Sequence, residues 1–146
     1  MDHSLNGLLS AQRALESRFA DFRLALDRRD EPAYRLGLAD FLGCLVSWTQ
    51  GEEQALLPAI SRAQIPGPDP QRELKLEFVQ LRELTRILMS LVGDREKLAD
   101  LLGLTENLGR RLAAHGVGVS EVYYPAAAAN LTEEDWTVLS GAAPTD

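Results

Sequence analysis

Hydrophobic residues recur at steps of three and four along most of the chain, which is the spacing of α-helices that bury one face. Four long segments show this pattern, and none shows the sustained alternation of a half-buried strand. The predicted inward positions are Leu8, Gln12, Leu15, Phe19, Phe22 and Leu26 in the first segment, Phe41, Leu45, Trp48, Glu52, Ala55 and Ala59 in the second, Leu74, Phe78, Leu81, Thr85 and Leu88 in the third, and Leu101, Thr105, Leu108, Leu112, His115, Val119 and Val122 in the fourth.

Prolines and capping residues divide these segments. "DEP" opens the second helix, "IPGPDP" forces a loop before the third, and Gly93-Asp94 separates the third from the fourth. Because such short connections make consecutive helices antiparallel neighbours, the sequence predicts an all-α, up-down-up-down four-helix bundle over residues 4–128. A short appended helix is expected over residues 132–140, starting with a capping box at Thr132 and Asp135 and ending at Gly141. All 146 residues are expected to form one domain.

Charge and cysteine content narrow the expected partners and location. The net charge of -7 argues against nucleic acid or an anionic membrane surface as partner, since either needs a basic patch. No segment has the length and apolar character of a membrane span, and the first residues lack the pattern of a signal peptide. With Cys44 alone, no intrachain disulfide is possible, and a cytoplasmic location is expected.

Polar residues interrupt the apolar stripes at Gln12, Glu52 and His115. A carboxylate or an imidazole inside a bundle needs a partner. Either the three residues satisfy one another, with Glu52 and His115 as an ion pair or a shared-proton pair, or they ligate a metal ion.

Two similar segments end the second and fourth helices: "WTQGEEQALLP" and "HGVGVSEVYYP". Trp48 and His115 open them and Pro58 and Pro125 close them, so that corresponding positions are 67 residues apart. A bulky hydrophobic pair precedes each proline, and for Tyr123 and Tyr124 packing is the expected role. The spacing indicates a weak internal repeat of two helix pairs.

These segments resemble the hemerythrin-like, or HHE cation-binding, family. "WTQGEEQALLP" is similar to the second-helix motif His-x-x-x-Glu-Glu followed by a hydrophobic pair and Pro, and "AAHGVGVSEVYYP" to the fourth-helix His-x-x-x-Glu repeat. "AQRALESRF" and "EFVQLREL" resemble the Glu-His-x-x-Leu segments of the first and third helices, and "NLTEEDW" the segment that often follows the fourth helix. The resemblance covers roughly residues 4–140.

Members of that family hold two iron ions in the bundle centre, but few of the ligands implied by the resemblance are present here. Three histidine positions and one carboxylate position are replaced, by Gln12, Trp48, Phe78 and Val119 respectively. Glu52 and His115 alone are retained. Glu121 follows the replaced carboxylate position by two residues, about 200° round the helix, and is expected to point away. The di-iron site is therefore predicted to be lost, with no cofactor and no metal expected.

The leading hypothesis is a metal-free hemerythrin-like protein with an accessory, regulatory or partner-binding role, with a homodimer as one arrangement. No activated nucleophile or phosphate-binding loop indicates an enzyme, and no catalytic residue is assigned. One alternative is a small-molecule or cofactor site in the bundle centre, with or without acid–base chemistry at Glu52 and His115. Its candidate lining is Gln12, Cys44, Trp48, Glu52, Phe78, His115 and Val119. A second alternative is a residual mononuclear metal site at Glu52 and His115, with Cys44 as an extra ligand.

Overall fold

The computed structural model describes residues 1–145 of the chain, and within them the regular structure is entirely helical. The α-helices are α1 (Leu5–Asp27), α2 (Glu31–Gly51), α3 (Leu57–Ala63), α4 (Pro70–Leu91), α5 (Leu98–Gly118), α6 (Tyr124–Ala128) and α7 (Glu133–Ala142). Two π-helical turns, Glu52–Leu56 and Val119–Tyr123, join α2 to α3 and α5 to α6, and a 3₁₀ turn, Arg95–Lys97, precedes α5. Among these residues, no helix is both long enough and apolar enough to cross a membrane.

The four long helices close a ring of contacts in which α1 packs on α2, α2 on α4, α4 on α5 and α5 on α1. The core lies inside this ring. Every inward position predicted from the sequence is buried except Val122, including the polar residues Gln12, Glu52 and His115. The threonines at the buried positions donate their hydroxyls to the carbonyl four residues earlier, as Thr85 does to Leu81 at 2.7 Å, and so need no other partner.

Side chains cap several helices where the sequence predicts a start. Asp30 accepts a hydrogen bond from the Ala33 backbone N–H, and Asp69 accepts from Gln71 and Arg72. The predicted capping box at Thr132 and Asp135 is confirmed, with both reciprocal hydrogen bonds present. The predicted end of this helix at Gly141 is wrong by one residue, since α7 continues through Ala142.

The two π turns occupy corresponding positions of the internal repeat, because residues 52 and 119 are 67 apart. Leu57 donates its N–H to the Glu52 carbonyl, and Tyr124 donates to the Val119 carbonyl, each spanning five residues instead of four. Each turn thus inserts one extra residue and rotates the next residues inward by about 100°. This rotation explains why Val122 is 47% exposed, against prediction, whereas Tyr124 is fully buried.

The C-terminal helix α7 packs across the outside of α2 and the first π turn. Trp136 anchors it, being 5% exposed, and His3 stacks on that indole at a centroid distance of 5.7 Å. At Gly51 the two helices approach so closely that a Cβ atom would lie 2.5 Å from the Ala142 Cβ. The appended helix therefore holds the segment that carries Glu52.

Candidate functional site

Tyr124 is the hub of a polar cluster inside the ring of helices. Its phenol oxygen accepts a hydrogen bond from the Trp48 indole Nε1 at 3.2 Å. The same oxygen lies 3.2 Å from Glu52 Oε2 and 3.4 Å from Gln12 Oε1. All four side chains are at most 1% exposed, so this cluster is a desolvated network drawn from both halves of the chain. We call these four residues the Tyr124 cluster.

The single phenol hydrogen couples the members of the Tyr124 cluster. Tyr124 can donate to Glu52 or to Gln12, but not to both. When Glu52 is protonated, its O–H can donate to the phenol oxygen, and the phenol hydrogen then reaches Gln12 Oε1. When Glu52 is ionised, the phenol hydrogen goes to Glu52, and Gln12 must turn its amide to present the NH₂ group instead. The orientation of the Gln12 amide is thus tied to the charge of Glu52.

Two buried polar atoms of this cluster, Gln12 Nε2 and Glu52 Oε1, have no hydrogen-bond partner. Burial of the Glu52 carboxyl, one of whose oxygens has no partner, favours its neutral form. Burial is the main cause that raises the pKa of Glu52 to about 7, opposed by the charge of His115 and by the hydrogen bond from Tyr124. Burial and the nearby Glu52 carboxylate also raise the pKa of Tyr124 well above its usual range, so the phenol keeps its hydrogen.

His115 lies in the same region but takes a different partner from the predicted one. Its Nδ1 lies 2.9 Å from Glu77 Oε1, and its ring meets the edge of Phe78 at a centroid distance of 5.6 Å. The predicted direct pairing of Glu52 with His115 is wrong, because Glu52 bonds to Tyr124 and His115 to Glu77. The imidazole faces α4, whereas the carboxylate faces the centre of the ring.

The other candidate residues fall into two groups. Trp48, Phe78 and Val119 are completely buried and fill the interior around the Tyr124 cluster. Cys44 is half-buried at the edge of the core, where burial and the charge of Asp40 raise the pKa of its thiol. Since Cys44 precedes Glu52 by eight residues, roughly 12 Å along a helix separate them.

The donor set can be compared with that of a di-iron centre, which needs several imidazoles and bridging carboxylates converging from all four helices. Here the interior offers the Glu52 carboxylate and the neutral Gln12 amide, and the His115 Nδ1 is engaged by Glu77. Across residues 1–145, no three His, Cys, Asp or Glu side chains converge as metal ligands do. These residues do not fit a pair of iron ions.

Sequence reasoning missed two residues of the site. The sequence predicts only packing for Tyr124. The repeat aligns it with Leu57, however, and a polar hydroxyl at a buried position indicates a hydrogen bond. Glu77 precedes Phe78 on α4 and therefore lies just beside the buried stripe. The signal in the sequence is Glu77 itself, the first residue of "EFVQLREL", directly before the buried Phe78.

Two recesses lie beside α5, one on its α1 side and one on its α4 side. A groove of about 440 Å³ lies between α1 and α5 and is lined by Glu16, Phe19, Gly109, Leu112, Ala113, Gly116, Val117, Ser120 and Glu121. A smaller pocket of about 200 Å³ between α4 and α5 is lined by Glu77, Gln80, Leu81, Arg111, Ala114 and His115. We call the larger recess the α1–α5 groove.

Comparisons with known proteins give no relative: no family model, no curated protein and no solved structure matches the chain.

Proposed function

We propose that this protein is a metal-free, hemerythrin-like, up-down-up-down four-helix bundle that acts by binding, in an accessory or regulatory role. The observation that carries the proposal is the Tyr124 cluster. The resemblance implies metal ligands at positions 12, 48 and 52. Here Trp48 instead donates a hydrogen bond to Tyr124, whose phenol lies within hydrogen-bond distance of Glu52 and Gln12. A hydrogen-bonded core of this kind satisfies most of its own polar groups and leaves little donor capacity for a metal ion.

The aromatic rings support the same proposal. Trp48 and Phe78 stand at two positions where the resemblance implies histidine, and both are completely buried. Interiors of proteins are packed as densely as organic crystals, so rings of this size leave no room for two metal ions and a bridging ligand. We place the protein in the cytoplasm, consistent with its single cysteine, and regard a homodimer as one form of partner binding.

Metal content tests the proposal. The wild-type protein, expressed with added iron, should contain far less than one iron per chain and show no oxo-bridge absorption. A variant with Gln12→His, Trp48→His, Phe78→His and Val119→Glu restores the implied ligands and should gain iron if the helices have the proposed register. About two irons per wild-type chain would overturn the metal-free proposal.

The residual mononuclear site remains the alternative in which Glu52 and His115 share one ion. The orphaned Glu52 Oε1 is the observation that favours it. Against it, the nearest partner of the imidazole is Glu77 and not a group shared with Glu52. Wild type, Glu52→Ala and His115→Ala should have the same low metal content. Metal that is present in wild type and lost in both variants would establish the alternative.

A further inference from the structure

The α1–α5 groove has an apolar floor and a face of small residues. Phe19, Leu112 and Ala113 supply apolar surface, while the small residues Gly109 and Gly116 lie on α5 and Ser120 lies in the second π turn. At Gly116 the absence of a Cβ is required, because the Glu16 carboxylate lies against the position that this atom would take. The volume of about 440 Å³ lies within the range of small-molecule sites.

The charges at one end of the groove are negative. Glu16 and Glu121 both line it, and no lysine or arginine is among the lining residues. Neither carboxylate forms an ion pair within residues 1–145. At the other end, Arg23 Nη1 would lie 3.4 Å from a Cβ on Gly109. The groove therefore presents carboxylates at one end and a guanidinium near the other.

A buried, unpartnered amide reaches the carboxylate end of the groove from inside. Gln12 is 1% exposed, and its Nε2 has no hydrogen-bond partner. This atom lies 3.5 Å from the position of a Cβ on Gly116, a lining residue. An unsatisfied buried polar group is costly, so the amide itself indicates that a polar group belongs beside it.

We propose that the α1–α5 groove binds a small organic monocation, an ammonium group carried on an apolar body. The ammonium lies between Glu16 and Glu121, and the apolar body extends over Phe19 and Ala113. Arg23 at the far end disfavours a second positive charge, so a monoamine binds better than a diamine of the same length. This inference depends on the proposed function in one respect, that residue 12 is an amide and not a metal ligand.

The ligand can also form a hydrogen bond with the Gln12 amide. Turned so that its NH₂ group donates to the Tyr124 oxygen, the amide presents its carbonyl to the groove, where an ammonium N–H is the matching donor. Occupation of the groove is thereby relayed to Tyr124 and, through the phenol hydrogen, to Glu52. The relay gives a regulatory bundle a way to sense the ligand.

Titration calorimetry with four probes of one chain length tests the charge preference: hexylamine, hexan-1-ol, hexanoate and 1,6-diaminohexane. Hexylamine should bind at least about tenfold more tightly than hexan-1-ol, since charge-assisted hydrogen bonds form only with the amine. Hexanoate should bind more weakly still, and the diamine no more tightly than hexylamine. Equal binding of the amine and the alcohol, preference for the diamine, or no binding of hexylamine would each overturn the proposal.

Variants locate the site. Ala113→Leu fills the groove from an exposed position and should abolish hexylamine binding, whereas Ala114→Leu, on the neighbouring exposed position that lines the smaller pocket, should not. The double variant Glu16→Gln/Glu121→Gln should bind hexylamine about tenfold more weakly. Glu106 is an exposed residue of α5 that does not line the groove, so Glu106→Gln should leave hexylamine binding unchanged. Hexylamine should also shift the NMR signals of the Gln12 side-chain amide. Binding that survives Ala113→Leu in a folded protein would disprove this location, while the metal-content experiment would still stand.

Discussion

The phenol oxygen of Tyr124 lies 3.2 Å from Glu52 Oε2, although 72 residues separate them along the chain. Glu52 begins the first π turn, and Tyr124 directly follows the second. The two halves of the internal repeat thus meet at the Tyr124 phenol, and the position of its hydrogen depends on the charge of Glu52.

Tyr124→Phe should destabilise the protein by about 2–3 kcal/mol, because the Trp48 indole N–H and the Glu52 carboxyl both lose a buried partner. Urea unfolding followed by tryptophan fluorescence measures the change. Tyr34→Phe is the control, since Tyr34 is also buried but lies outside the Tyr124 cluster, and it should change stability by much less. Equal losses in the two variants would show that the Tyr124 hydroxyl stabilises the protein no more than a hydroxyl outside the cluster.

Glu52 should make the protein less stable as the pH rises. Its pKa is raised to about 7 in the folded chain from an ordinary value of 4.5, so the folded state retains the proton longer than the unfolded state does. Below pH 4.5 both states are protonated and the group has no effect, whereas above pH 7 the penalty is complete. The linkage amounts to about 3 kcal/mol across this interval.

Glu52→Gln removes that ionisation, so the stability of the variant relative to wild type should increase between pH 5 and pH 8. Urea unfolding at both values measures it, with the exposed Glu106→Gln as the matched control. Parallel pH profiles for wild type and Glu52→Gln would contradict the buried-acid interpretation.

The helices and most of their buried faces could be predicted, because a constant periodicity relates sequence to structure as long as a helix stays regular. The prediction failed at Val122, where the π turn Val119–Tyr123 adds a residue and changes the phase. The segment "GVGV", whose residues form helix weakly, was the local signal of that irregularity.

The composition of the polar interior could also be predicted, but its pairing could not. Gln12, Glu52 and His115 interrupt apolar stripes, which is enough to place them inside. Which side chain bonds to which depends on the rotation and height of one helix against another. Glu77, beside the stripe of α4, could therefore displace Glu52 as the partner of His115.

Gly51→Ala should destabilise the protein by about 1–3 kcal/mol, because the added methyl group meets Ala142 where α7 crosses α2. Gly43→Ala is the matched control on the same helix, since a Cβ there has no neighbour within 4 Å. That change should stabilise the protein by about 0.5–1 kcal/mol through helix propensity. Thermal unfolding distinguishes them by the sign of the change in Tm. Stabilisation by both variants would show that α7 does not pack tightly at this position.

Deletion of one residue tests the role of the second π turn. Removing the exposed Glu121 should convert Val119–Tyr123 into a regular α-helical turn while Tyr124 keeps its buried position, because a π turn differs from an α turn by one residue. Removing the exposed Glu106 from the regular part of α5 should instead rotate the following residues by about 100° and carry His115 out of the core. Circular dichroism and urea unfolding should therefore find cooperative unfolding after the first deletion and its loss after the second. If the Glu121 deletion is as damaging as the Glu106 deletion, the π turn is itself needed to direct Tyr124 toward Glu52.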